Sequence, residues 1–230
     1  MQPYFLPYLS YWQLIAAVDR FVILDDVNFI KRGFINRNRI LINGQPYLFS
    51  VPIKKASQNH LIKDTQLCFD EKEKRKFLVR IENAYRRAPF FGTVMPLVRR
   101  ITEYEENDLT EYITNSIKEI MSYLGLGTVI LKSSQMKKDN SYTGAERIME
   151  ICGCLGGDVY INLIGGKKLY RHDIFAEHGI SLYFLATRFE QIQYRQFGTE
   201  FQEKLSILDV LMFNPVNEVK DMLQMYELEE

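Results

Sequence analysis

Residues 2–26 read QPYFLPYLSYWQLIAAVDRFVILDD, and three textures succeed one another within them. Gln2 to Tyr8 carries Pro3 and Pro7. Each proline fixes φ and removes a backbone donor, so this stretch reads as a stiff loop. Tyr11 to Val18 (YWQLIAAV) has an apolar helical face, and Asp19-Arg20 ends it. Phe21 to Leu24 is a short apolar run of the kind that forms a buried strand, with Asp25-Asp26 directly after it. A helix feeding a buried strand that ends in acids is an α/β unit, and α/β sheets bind ligands outside the carboxyl ends of their strands.

The same order recurs downstream. Residues 109–124 read as an amphipathic helix closed by Gly125 and Gly127, then TVILK at 128–132 as a strand. Thr143 caps a helix running to Leu155, with Glu146 three residues on as its capping-box partner. Gly156-Gly157 end it, and strand DVYINLI at 158–164 leads to Gly165-Gly166. A short helix over 173–178 precedes strand ISLYFL at 180–185, and helices are expected over 205–213 and 218–225. Helix, glycine, apolar strand is the rhythm of parallel strands with crossover helices. Asn43-Gly44, set between RILI and QPYLFSVPI, is a hairpin turn. Glu71–Ala88 is a helix stopped by Pro89; Phe90-Phe91-Gly92 turns the chain, and a helix follows over 95–104. The expectation is a single α/β domain over 1–230 with a Rossmann-like, mostly parallel sheet and an inserted helical segment at 70–125, which has the size of a subdomain.

Composition narrows the function. The 230 residues are 47% hydrophobic and 25% charged, which excludes a disordered chain. Lys+Arg and Asp+Glu both number 29, so no global basic excess favours nucleic acid. No apolar run approaches the ~20 residues of a membrane span. The start lacks the basic-then-apolar pattern of a signal peptide. Three cysteines (Cys68, Cys152, Cys154) make no disulfide framework, so the reading is cytoplasmic. Three histidines, none at zinc-ligand spacing with the cysteines, give no metal site, and no cofactor is legible.

Four constellations carry chemistry. In the opening loop, Gln2, Tyr4, Tyr8 and Tyr11 offer an amide and rings to a ligand, against the plainer reading of a packed N-terminal arm. Asp25 and Asp26 offer a carboxylate to orient or deprotonate an acceptor, against that of a turn cap. Residues 31–39, KRGFINRNR, place Lys31, Arg32, Arg37 and Arg39 beside Asn36 and Asn38, a phosphate-binding composition that would also suit a solvated hairpin face. Asn162 with Gly165-Gly166 forms a strand end where backbone N–H groups can approach an anion; a generic turn is the alternative. Among weaker features, Arg147 reads as a surface ion pair with Glu150, Ser206 as a cap or buried hydroxyl, and Tyr194 and Gln196 as pocket or loop residues.

Residues 2–40, QPYFLPYLSYWQLIAAVDRFVILDDVNFIKRGFINRNRI, resemble the N-terminal signature of the WbqC-like protein family. APFF at 88–91, YINLIGG at 160–166 and LSILDVL at 205–211 are similar to later blocks of that family, in order. The resemblance implies a bacterial protein of O-antigen (lipopolysaccharide) or other surface-polysaccharide and sugar-modification pathways, with a presumed transferase role. It also implies a short strand ahead of Gln-Pro. Either Met1 is the family's residue at that point, or that first strand is missing and the sheet has an incomplete edge or open core. A looser likeness to Rossmann-like nucleotidyltransferases and adenylate-forming ligases lacks their paired histidines, since no histidine precedes His60.

The expected function is therefore transfer of an acyl or aminoacyl group to an amino sugar, on a nucleotide-sugar or other phosphorylated small-molecule substrate. Asp25 or Asp26 is catalytic in this reading, and the other named residues bind substrate. The alternatives are Mg²⁺-dependent nucleotidyl or adenylyl transfer at the acid pair, and a non-catalytic binding or scaffold protein of a glycan-assembly complex.

Overall fold

The computed structural model describes residues 1–230 except Ala56 and Thr199. The proline loop leads into α1 (Leu9–Ala16) and then β1 (Arg20–Ile23). Helix α1 is apolar nearly all round, and a helix of that kind belongs in an interior. Tyr11, Trp12 and Ile15 are fully buried, and Trp12 Nε1 donates to the Pro7 carbonyl at 3.1 Å, fixing the entry angle of the loop. The polar Gln13 is buried at no cost in lost partners: its amide donates to the carbonyls of Met222 and Met225 and accepts from Thr187.

β2 (Arg37–Ile42) and β3 (Gln45–Ser50) form the hairpin that Asn43-Gly44 announces. Both turn residues have positive φ (52° and 74°), as a two-residue hairpin turn demands. Three helices follow: α2 (Glu71–Tyr85), α3 (Phe91–Glu103) and α4 (Leu109–Leu124). Their apolar faces, with Phe77, Val94, Ile113 and Ile117, join one core with Phe5, Trp12 and Phe49. The 70–125 segment thus packs on the same core as the proline loop. Helix α3 starts four residues ahead of its expected start and contains Pro96. Buried Val94 and Met95 hold that first turn in the core despite the donor Pro96 lacks.

β4 (Val129–Lys132) pairs in parallel with β1, Ile23 opposite Lys132. After α5 (Gly144–Leu155), β5 (Val159–Leu163) pairs in parallel with β6 (Ser181–Thr187), with α6 (His172–Glu177) between them. Helices cover both faces of this pair. Ile161, Leu163 and Leu185 face the main core, whereas Tyr160, Leu182 and Phe184 pack with Ile148, Cys152 and Phe175 of α5 and α6. The chain ends with α7 (Ile207–Phe213), α8 (Val216–Met222) and β7 (Tyr226–Glu229), the last antiparallel to β6.

The architecture is mixed α/β, built from small parallel and antiparallel ladders, and the described strands do not close into a barrel. The expected parallel strands exist, but as two separate pairs, β1–β4 and β5–β6. Between β1 and β5 lies a cavity of about 530 Å³. None of the described helices is long and apolar enough to cross a membrane.

Of two expected caps, one forms. Thr143 stands at the N-cap of α5 but its hydroxyl makes no capping bond. Ser206 does cap α7: its Oγ accepts from Leu208 N at 3.3 Å and donates to the Leu6 carbonyl at 2.8 Å, tying the C-terminal helix to the proline loop. Ser206→Ala removes both bonds from a fully buried site and should cost about 1–3 kcal/mol. Urea unfolding with an unchanged slope checks this.

Candidate active site at the strand ends

Registers bring the carboxyl ends of the strands together. Met1 N donates to Val22 O at 2.8 Å and Leu24 N to Met1 O at 2.8 Å, which sets Met1 beside Ile23 as in a parallel ladder. Gln2 therefore lies level with Leu24-Asp25. Carried one step further, the β1–β4 register sets Leu24-Asp25 beside Ser133-Ser134 in the same way.

Both acids are engaged. Asp25 is 1% exposed and accepts from Ser134 N at 2.9 Å and from Ser134 Oγ. Asp26 turns the other way, as strand alternation requires. It pairs with Lys138 Nζ at 2.6 Å, and Arg147 Nη1 lies 3.7 Å from its other oxygen. Burial pushes the Asp26 carboxyl up, but the hydrogen bond from Lys138 and the charges of Lys138 and Arg147 outweigh it, leaving the group below the usual carboxylate range. Lys138 is itself buried, and Asn140 Oδ1 takes another of its protons at 2.7 Å. Arg147 is no surface partner of Glu150. It donates to the carbonyls of Asp26 and Tyr142, joining the start of α5 to the end of β1. Lys138 went unnoticed in the sequence because KKDNSY reads as a plain polar loop, and only the crossover from β4 to α5 carries it back over the acids.

The opening loop and the basic segment also meet. Phe5 N donates to Ile35 O at 2.9 Å, and Phe34 packs on Tyr4 and Tyr8 with centroids 6.0 and 5.8 Å apart. Tyr4 and Tyr8 stay half-buried; burial pushes the Tyr8 hydroxyl up to about 12, helped by Tyr4 beside it. Tyr11 is wholly enclosed, its hydroxyl spent on the Gln2 carbonyl. Asn38 is likewise enclosed, donating to Leu6 O at 2.8 Å, and Asn36 donates to Val51 O at 2.8 Å. These three hold the segment in place. Arg37 folds back on the carbonyls of Gly33 and Arg32, bracing a loop in which Arg32 has φ 62°. Lys31, Arg32 and Arg39 are exposed and make no side-chain hydrogen bond or ion pair among the described residues.

At the end of β5, Asn162 Oδ1 accepts from Leu163 N at 2.8 Å. A Cβ on Gly166 would sit 2.6 Å from Asn162 Nδ2, so the glycine is what lets the turn close over that amide. Gly165 is exposed beside it. Among the described residues no group of three or more His, Cys, Asp or Glu is arranged to hold a metal. Tyr194 and Gln196 line no open pocket but belong to a deep network: Asp209, fully buried, accepts from Tyr85 (2.9 Å), Tyr194 (2.8 Å) and Gln196 (2.7 Å).

The class the fold defines is mixed α/β, with parallel strand pairs that carry Asp25 and Asp26 after β1 and Asn162 at the end of β5. The chain belongs to the WbqC-like protein family, whose model matches residues 2–221. An uncharacterized protein of Mycobacterium tuberculosis, Rv1507c, is 28% identical over 229 residues, spanning 97% of this chain and 96% of its own length. No solved structure matches the chain.

Proposed function

We propose that this protein is a transferase of surface-glycan biosynthesis that binds a nucleotide sugar and moves an acyl group onto an amino sugar, at the carboxyl ends of a Rossmann-like sheet. The observation that carries this reading is the set of exposed cations Lys31, Arg32 and Arg39, unpaired among the described residues, on the segment whose Phe34 packs against the half-buried rings of Tyr4 and Tyr8. Guanidinium and ammonium groups without carboxylate partners suit a diphosphate, and aromatic faces suit a base or sugar ring.

Acyl transfer to an amine needs the amine deprotonated and oriented, the developing oxyanion stabilised, and the donor's leaving group, the thiol of an acyl-CoA, released as the amide forms. Asp26, ionised at neutral pH because its carboxyl is held low, suits the orientation of the acceptor ammonium, whose proton passes to solvent before the free amine attacks. Backbone N–H groups near Gly165-Gly166 are the candidates for the oxyanion. Asp25 acts by holding Ser134. The buried Lys138–Asp26 pair gives no support to a Mg²⁺ site at the acids.

A thermal-shift screen with UDP- and dTDP-sugars, ATP and acyl-CoA tests the reading. A nucleotide sugar at 100 times its dissociation constant should add about 2.7 kcal/mol. Arg32→Ala with Arg39→Ala should abolish that shift and leave the unliganded midpoint unchanged. A shift that survives the double replacement rejects the phosphate site, and no shift with any nucleotide favours the scaffold alternative.

A further inference from the structure

The loop ahead of α7 runs along the proposed site and is pinned on both sides of Lys204. On one side the buried Gln196 amide takes both backbone groups of Gln202. Gln202 N donates to its Oε1 at 2.7 Å, and its Nε2 donates to Gln202 O at 3.0 Å. On the other side Ser206 N donates to Arg39 O at 2.7 Å and Ile207 N to Pro7 O at 2.9 Å, and Tyr8 and Ser206 form an antiparallel bridge. The end of this loop therefore lies directly beside Tyr8 and Arg39. Leu205 is buried, and Lys204 between the two anchors is exposed.

Lys204 holds a left-handed φ of 58°. Strain of this kind persists only where the surroundings dictate the backbone, and it gathers at ligand sites. The two segments beside it share the feature: Leu6 has φ 48° in the proline loop and Arg32 φ 62° in the basic one. The Leu6 carbonyl accepts from both Asn38 and Ser206, so one oxygen joins all three segments. The Lys204 ammonium makes no hydrogen bond or ion pair among the described residues, although Glu203 is its neighbour in the chain. Its Nζ rests 5.3 Å from the centre of the Phe189 ring. Phe189 follows the carboxyl end of β6, where the hydroxyls of Thr187 and Ser10 hydrogen-bond and tie that end to the first turn of α1. A ring face holds a cation less firmly than a phosphate oxygen does, so this charge is open to an anion.

We propose that Lys204 is a further anion-binding residue of this site and grips the substrate's diphosphate together with Arg39. The inference rests on the nucleotide-sugar reading for the identity of the substrate. It adds the loop ahead of α7 as a third wall, beside the proline loop and the basic segment. Gln196, fixed in turn by Asp209, positions that wall through the backbone of Gln202.

The test titrates inorganic pyrophosphate into the protein by calorimetry at low salt, where charge contacts are least screened. Lys204→Met keeps the length of the side chain and drops its charge. It should weaken pyrophosphate binding about tenfold, and Lys204→Arg should stay within about threefold of wild type. Lys118→Met removes one charge from an exposed position on α4 and should leave the affinity unchanged. Lys204→Gly suits the left-handed backbone, so it should raise the urea midpoint while losing the same tenfold in affinity. Wild-type affinity in Lys204→Met overturns the proposal, and so does a wild type that binds no pyrophosphate. Equal weakening by Lys118→Met overturns it too, since net charge alone would then suffice. A Lys204→Gly protein that gains stability and keeps its affinity shows a purely structural residue and has the same consequence. Pyrophosphate binding that needs Lys204, without a shift from any nucleotide sugar, upholds this residue and rejects the proposed function. A nucleotide-sugar shift indifferent to Lys204→Met does the reverse.

Discussion

Asp209→Ala should lower the folding free energy by about 3–5 kcal/mol. The carboxylate has no exposed surface and no cation beside it; Tyr85, Tyr194 and Gln196 supply its donors. Removing it strands buried donors and leaves a void between α2, α7 and the segment at 194–196. Tyr85 also accepts from Leu41 N at 3.1 Å, so the loss reaches the hairpin. Burial pushes the Asp209 carboxyl above its ordinary value, against the lowering effect of the donors. The native state therefore holds this proton more tightly than the unfolded chain. The group's contribution is complete below the unfolded pKa, near 3.8, and is lost as pH rises through the higher folded value. Denaturant unfolding of wild type and Asp209→Ala across that range should show the difference shrinking as pH rises; a difference that grows instead would reject the assignment.

Lys138→Met should cost about 3–5 kcal/mol, because it leaves the Asp26 carboxylate buried without its nearest cation. The side chains are 1% and 8% exposed, so water cannot replace the partner. Replacing both, Asp26→Leu with Lys138→Met, should cost less than the sum of the single changes, a coupling of about 1–3 kcal/mol. Here the pH dependence has the opposite sign. Asp26 is held below the usual range, so its contribution is present above the unfolded pKa and lost as pH falls through the folded one. Additive single and double variants would show that the pair is not coupled.

Where local rules decide, the sequence was enough. Helix 109–124 has its stated ends because Asp108 caps Glu111 N and Gly125 takes φ 65°. The hairpin follows from Asn43-Gly44 for the same local reason. Strand β7 escaped notice because YELE is polar and short, as an edge strand is; Glu227 and Glu229 pair with Arg188 and Lys167. The site was half legible. Phe34 meets Tyr4 and Tyr8 and joins two segments close in the chain, but Lys138 and Arg147 reach Asp26 from more than 110 residues away. Spacing cannot announce a partner brought in by a crossover. Nor could composition separate Tyr11 and Asn38, which burial assigns to holding the loop, from Tyr4 and Tyr8, which keep exposed faces.

The most direct test of the account is a structure of the protein with a bound UDP- or dTDP-amino sugar. The account predicts the diphosphate within hydrogen-bond reach of Lys31, Arg32 or Arg39, the nucleotide or sugar ring against Tyr4 or Tyr8, and the amino group turned toward Asp26. A diphosphate bound away from residues 31–39 would contradict it.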